Sequence, residues 1–295
     1  MTFQPKGIIP AMVTPITSDG KINVGALRKL TNYLIGGGVH GLFPVGSQGE
    51  FYGLTFDEKK KVIETVVEET RGRVPVYAGT GAITTREAIA LTQMAEAAGV
   101  TAVSVLTPFF IHPNETELFE FYSAVAKSTR LPVLLYNNPG RTGVNISANF
   151  VVRASKIENI VGIKDSSGDL TLTAEYIRRT GETFSVLAGR DTLIYGTLCY
   201  GGKGAIAATA NVAPKIIVEI YESFMAGDMK RSLEAQFRLA PLRLAFELGT
   251  FPVVIKEALN LMGIDAGVGI APVGGIKPEA KEELKKILKE MGLLG

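Results

Sequence analysis

The chain has 295 residues, of which 46% are hydrophobic, with 31 basic side chains against 29 acidic ones, two histidines and a single cysteine. A net charge of +2 with scattered basic residues excludes the dense positive face of a nucleic-acid binder, and one cysteine excludes an intrachain disulfide. No apolar run approaches the roughly 20 residues of a membrane span and residues 1–7 carry no signal core, so a globular, cytoplasmic protein with a large core is expected.

Short β-branched or apolar runs alternate with longer helix-spaced segments. Strands are predicted at residues 8–13, 41–45, 74–78, 102–106, 133–136, 160–164, 185–188 and 205–208. Helices are predicted at residues 24–35, 55–70, 85–98, 115–128 and 170–179. Thr55-Phe56-Asp57-Glu58 has the capping-box pattern, Thr84 or Thr85 opens the next helix, and Gly99 stops it. Strand-then-helix repetition requires a parallel sheet with right-handed crossovers. About eight such units favour a closed (β/α)8 barrel, of the TIM type, over an open doubly wound sheet. After Ala210 the strand signal stops, and residues 214–225, 229–248, 253–261 and 278–291 read as helices, with Pro214 and Pro278 suited to first-turn positions. The expected division is a catalytic barrel over 1–226 and a helical appendage over 227–295. Cys199, between Leu198 and Tyr200, is expected to be a small core residue.

In a barrel the chemistry lies at the carboxyl ends of the strands. The second predicted strand ends in Gly46-Ser47-Gln48-Gly49-Glu50, a turn whose amides and hydroxyl could face a carboxylate or phosphate, or could simply reverse the chain. Gly79-Thr80-Gly81 after the third strand carries the same ambiguity. The fifth ends in Tyr136-Asn137-Asn138-Pro139-Gly140-Arg141, offering either a core aromatic or a proton shuttle in Tyr136, and a rigid fork for a carboxylate in Arg141. The sixth places Lys164 inside Val161-Gly162-Ile163-Lys164-Asp165. Burial there disfavours an ammonium and favours a nucleophilic amine, unless the side chain snorkels to solvent or pairs with Asp165. The seventh and eighth end at Gly189-Arg190-Asp191 and Ala207-Ala208-Thr209, whose small residues leave space. His40 and His112 lie far apart, which argues against a zinc site or a Ser-His-Asp triad.

Five motifs occur together and in order: the Gly46 to Glu50 turn, Ala78-Gly79-Thr80-Gly81, Tyr136-Asn137-x-Pro139-x-Arg141-Thr142-Gly143, Gly162-Ile163-Lys164-Asp165, and Gly201-Gly202-x-Gly204-Ala205-Ile206. With them the chain resembles the dihydrodipicolinate synthase and N-acetylneuraminate lyase superfamily of Schiff-base lyases over essentially its whole length. The resemblance implies a (β/α)8 barrel with carboxy-terminal helices, usually a homotetramer, and a lyase with no cofactor beyond the covalent imine. It makes Lys164 the amine that condenses with pyruvate or another 2-oxo acid, Tyr136 the proton shuttle, and Ser47 a catalytic hydroxyl that, with Gly46 and Gln48, holds the 2-oxo acid carboxylate. Gly189 and Ile206 would line the same pocket, and an aldehyde would be the second substrate.

Two residues depart from the synthase pattern. Gln48 stands where a second threonine is usual, and Phe110 where a tyrosine commonly reaches into a neighbouring subunit. Arg141 instead matches the arginine by which the synthases bind aspartate semialdehyde. The leading expectation is a dihydrodipicolinate synthase-like enzyme of lysine biosynthesis. A 2-keto-3-deoxy sugar acid aldolase or dehydratase is the alternative, and a non-catalytic 2-oxo acid binding protein is a remote one.

Overall fold

A computed structural model describes residues 3–294. Seven parallel strands appear: β1 (Gly7–Pro10), β2 (Tyr77–Gly79), β3 (Ala102–Leu106), β4 (Val133–Asn137), β5 (Ile160–Asp165), β6 (Ser185–Ala188) and β7 (Gly204–Ala207). Their order is β1-β7-β6-β5-β4-β3-β2, which leaves one gap between β1 and β2. The predicted strand at residues 41–45 fills it without forming a regular ladder. Phe43 N–H donates to Pro10 O at 2.9 Å and Leu42 N–H to Pro75 O at 3.0 Å, while Tyr77 N–H returns to Leu42 O at 2.8 Å. Pro10, Pro44 and Pro75 have no N–H to give, so pairing on both sides of this segment is reduced to bridges. These bonds close the ring, and the architecture is a (β/α)8 barrel rather than an open sheet.

Twelve α-helices accompany the strands among the described residues. The first six are α1 (Val24–Gly36), α2 (Phe56–Thr70), α3 (Thr85–Ala97), α4 (Glu115–Lys127), α5 (Pro139–Thr142) and α6 (Ala148–Ala154). The others are α7 (Leu170–Thr180), α8 (Ile194–Cys199), α9 (Pro214–Met225), α10 (Met229–Leu244), α11 (Val253–Leu261) and α12 (Pro278–Glu290). The capping box at Thr55 and Glu58 forms, Thr84 caps α3, and Gly99 follows that helix with φ +83°. Pro214 and Pro278 take first-turn positions, where a missing N–H leaves no bond unmade. The helix expected to run to residue 248 ends at Leu244 and continues as a 3-10 turn over Ala245–Leu248.

Side-chain alternation along the strands separates two cores. Ile9, Phe43, Tyr77, Leu134, Leu187 and Ile206 point inward and plug the barrel, all within 1% of full burial. A larger shell, including Val103, Val105, Leu135 and Ile163, packs outward against the helices. Truncating a plug residue such as Phe43 to alanine would cost about 3–5 kcal/mol. Cys199 departs from the expectation: it is exposed. It ends α8, where Leu198 occupies the core-facing position and Tyr200 beyond it is also exposed. No helix among the described residues is long and apolar enough to cross a membrane.

Candidate active site

A cavity of about 440 Å³ opens at the carboxyl ends of the strands. Its floor is Ile206 and Ala11, its wall is Ser47, Tyr136, Lys164 and Gly189, and its roof comes from residues 243–255 near α10 and α11. Lys164 and Tyr136 are register partners on β5 and β4, so strand pairing sets them side by side. Both are nearly buried, at 4% exposure each. Lys164 Nζ lies 4.1 Å from the centroid of the Tyr136 ring and 5.2 Å from that of Phe43. Among the described residues no carboxylate oxygen comes within 4.0 Å of it.

Asp165, the candidate partner next in sequence, faces the other way because successive strand residues alternate. Its carboxylate accepts from Asn137 Nδ2 at 3.1 Å, Ser167 N–H at 3.0 Å and Thr173 Oγ1 at 2.6 Å, on the helix side of the sheet. Lys164 is therefore neither snorkelling nor paired. It ends in the cavity against two aromatic faces, which attract a cation without neutralising it.

Tyr136 is held from several sides. Burial alone would raise its phenol, but the Lys164 charge and hydrogen bonds with Ser47, Asn138 and Ser166 outweigh that and leave it below the ordinary tyrosine range. Asn138 Nδ2 donates to the phenol oxygen at 3.1 Å. A phenol so placed can give up and regain a proton beside the amine.

The Gly46 to Glu50 turn lies across the cavity wall. Its internal bonds use Gly49 N–H, to Gly46 O at 3.0 Å, and Glu50 N–H, to Ser47 O at 3.1 Å. The amides of Ser47 and Gln48 are left without an acceptor among the described residues. Two adjacent free amides and a hydroxyl make an anion-binding concavity. Gln48 is 3% exposed, its amide donates to Pro252 O at 3.4 Å, and its Oε1 has no partner.

Gly46 itself does not line the main cavity. A Cβ there would stand 2.6 Å from the Phe43 ring, so the glycine lets the turn close on the barrel plug. Gly189 does line it, and a Cβ there would meet Ser166 Oγ at 2.1 Å. Arg141, on α5, reaches the mouth and stacks on Phe251 at 4.4 Å.

Several residues lining the cavity carry no assigned role in the sequence reading. Asn138 and Ser166 follow Tyr136 and Lys164 by two, and period-two alternation would have placed them on the same face. Arg190 follows β6, while Arg243 and Phe251 come from the carboxy-terminal third, where no local pattern marks them. Arg243 stacks on Phe246, and burial pushes its guanidinium down.

The family model for the dihydrodipicolinate synthetase family matches residues 4–291. The chain belongs to that family. A 4-hydroxy-tetrahydrodipicolinate synthase of Methanopyrus kandleri is 40% identical, covering 100% of this chain and 99% of its own, and one of Archaeoglobus fulgidus is 39% identical, covering 98% and 99%. Among solved structures, a dihydrodipicolinate synthase of Thermotoga maritima superposes with a TM-score of 0.96 at 33% identity, covering 99% and 100%. An Escherichia coli K12 prophage protein of the dihydrodipicolinic acid synthase family, in complex with pyruvate, gives 0.95 at 34% identity, covering 98% and 99%. The dihydrodipicolinate synthetase family is one of barrel enzymes, and the cavity above is where its fold places chemistry.

Proposed function

We propose that the protein is a pyruvate-dependent, imine-forming lyase of the 4-hydroxy-tetrahydrodipicolinate synthase type, joining pyruvate to aspartate semialdehyde in the cytoplasm as a step towards lysine. The observation that carries this is a buried lysine amine without a carboxylate partner, beside a phenol whose proton is loosened. Lys164 Nζ adds to the ketone carbon of pyruvate, whose oxygen takes up protons and leaves as water. The resulting iminium draws electrons from the neighbouring methyl, which loses a proton to become an enamine carbon. That carbon bonds to the aldehyde carbon, and the aldehyde oxygen takes a proton; the acceptor's own amine then adds to the iminium carbon and expels Lys164 Nζ, which leaves as the free amine. Tyr136, linked to Ser47 and Asn138, is placed to carry these protons, and the imine itself supplies the electron sink.

The pyruvate carboxylate would rest on the free amides of Ser47 and Gln48, while Arg141 at the mouth suits the acceptor's carboxylate. A second reading, an aldolase or dehydratase of 2-keto-3-deoxy sugar acids, is favoured by the Arg190 and Arg243 side chains lining the same cavity and by the unpaired Gln48 Oε1. Feeding pyruvate with aspartate semialdehyde or with glyceraldehyde separates the two: product with the sugar aldehyde alone would overturn the synthase assignment.

We propose further that the barrel over 1–226 and the helices over 227–295 form two units and that the protein assembles as a homotetramer. Phe110, 90% exposed with φ +71°, is the side chain a neighbouring subunit would cover. Sedimentation at micromolar concentration tests the assembly, and a monomer would remove that role for Phe110.

A further inference from the structure

Two non-glycine residues in the left-handed region bracket the turn that faces the cavity: Val45 at φ +58° and Glu50 at φ +57°. A β-branched residue is rare there, and such backbone persists only where the surroundings over-determine it. The fixing contacts come largely from the carboxy-terminal part of the chain. Glu50, fully buried, pairs with Lys256 of α11, which is 1% exposed at its side chain. The second carboxylate oxygen of Glu50 accepts from Ile270 N–H at 2.7 Å, and Lys256 Nζ also donates to Val268 O at 2.6 Å. The 267–268 segment is in turn docked on the barrel, with Val268 N–H donating to Ile16 O at 2.9 Å. Gln48 reaches Pro252, just before α11, and Thr14 Oγ1 donates to Gly49 O at 2.7 Å. The turn is thus clamped between the barrel on one side and α11 with its following loop on the other.

A buried ion pair is a poor device for stability, because desolvating both charges offsets most of their attraction. The charge contact and the hydrogen bonds flanking it, from Ile270 N–H to Glu50 and from Lys256 Nζ to Val268 O, do, however, fix the atoms they join. We propose that the Lys256–Glu50 pair is a positioning device for the Ser47–Gln48 turn, through which α11 sets the affinity of the site for the 2-oxo acid carboxylate. Neither residue lines the cavity or touches the reacting atoms. The proposal rests on the reading that this turn holds the carboxylate.

The test is borohydride trapping of pyruvate on the full-length protein, followed as a function of pyruvate concentration, for the wild type and for the double variant Glu50→Gln with Lys256→Met. Neutral, shape-matched replacement of a buried pair commonly leaves stability unchanged, so a purely structural pair predicts a folded variant with the wild-type half-saturation point. Positioning predicts a folded variant whose half-saturating pyruvate rises on the order of tenfold to a hundredfold, with the maximal trapping rate retained. A folded variant with unchanged half-saturation overturns the proposal. Should the double variant not fold, Lys256→Arg keeps the charge but changes its geometry: a smaller rise is expected, and a wild-type value overturns the proposal. A wild-type protein that traps no pyruvate refutes the imine reading underneath instead, so the two failures are distinguishable.

Discussion

Among the buried lysines, Lys164 and Lys256 stand in opposite chemical circumstances. Lys164 ends β5 in a cavity, with aromatic rings around its amine and no carboxylate within 4.0 Å among the described residues. Lys256 lies on α11 against Glu50 and the Val268 carbonyl and does not line the cavity. Burial pushes the Lys256 ammonium down and Glu50 pulls it back. On the proposed reading of Lys164, burial alone does not make an amine a nucleophile. What matters is whether a counter-charge fixes it as a cation and whether a substrate can reach it.

Exchanging the amines should expose the difference. Lys164→Met is expected to abolish condensation while leaving the denaturation midpoint unchanged or higher, since no partner is stranded; a large loss of stability would show that Lys164 is structural. Lys256→Met strands the buried Glu50 carboxylate, and chemical denaturation should register a loss of about 3–5 kcal/mol. A loss under about 1 kcal/mol would mean that water or another donor already serves Glu50.

Tyr136→Phe should lower kcat by about 10²–10⁴-fold with a much smaller change in the KM for pyruvate, as expected for a lost proton carrier. Equal turnover would remove the shuttle role. Arg141→Ala should act later, raising the KM for an acidic acceptor about tenfold or more while pyruvate trapping is untouched. An unchanged KM for every acidic acceptor would leave Arg141 structural.

The smallest effect concerns pH. The Tyr136 phenol is held below its unfolded value of about 10, so its phenolate form favours the fold. That contribution is present above the unfolded value and fades as pH falls through the folded one. The protonated shuttle is correspondingly lost early on the alkaline side. Asn138→Ala removes one hydrogen bond to the phenol oxygen and should move the alkaline limb of kcat to higher pH. Because the chain has no tryptophan, and Tyr77, Tyr122 and Tyr176 are all pushed upward by burial, tyrosinate absorbance offers an independent reading of the same shift.

The contrast between the two lysines also marks the limit of what the sequence discloses. Lys164 was legible because β-branched density around it signals an interior strand, and a strand end in a barrel is where chemistry lies. Lys256 was not, because its meaning depends on Glu50, distant in the chain and brought close only by docking of α11. The strands were readable from short apolar runs, except that prolines reduce residues 41–45 to bridges. Helices α5, α6 and α8, with 4, 7 and 6 residues, are too short to show a period. Cys199 misled because its neighbour Tyr200 suggests a core and is instead 57% exposed. Arg243 and Phe251 reach the cavity from the carboxy-terminal third, which local pattern cannot reveal.

The most direct test is the mass of the protein after pyruvate and borohydride, mapped by peptide. A single reduced pyruvate adduct on Lys164, absent from Lys164→Met, is the predicted result. No adduct, or an adduct on Lys256 or another lysine with Lys164 unmodified, would contradict it.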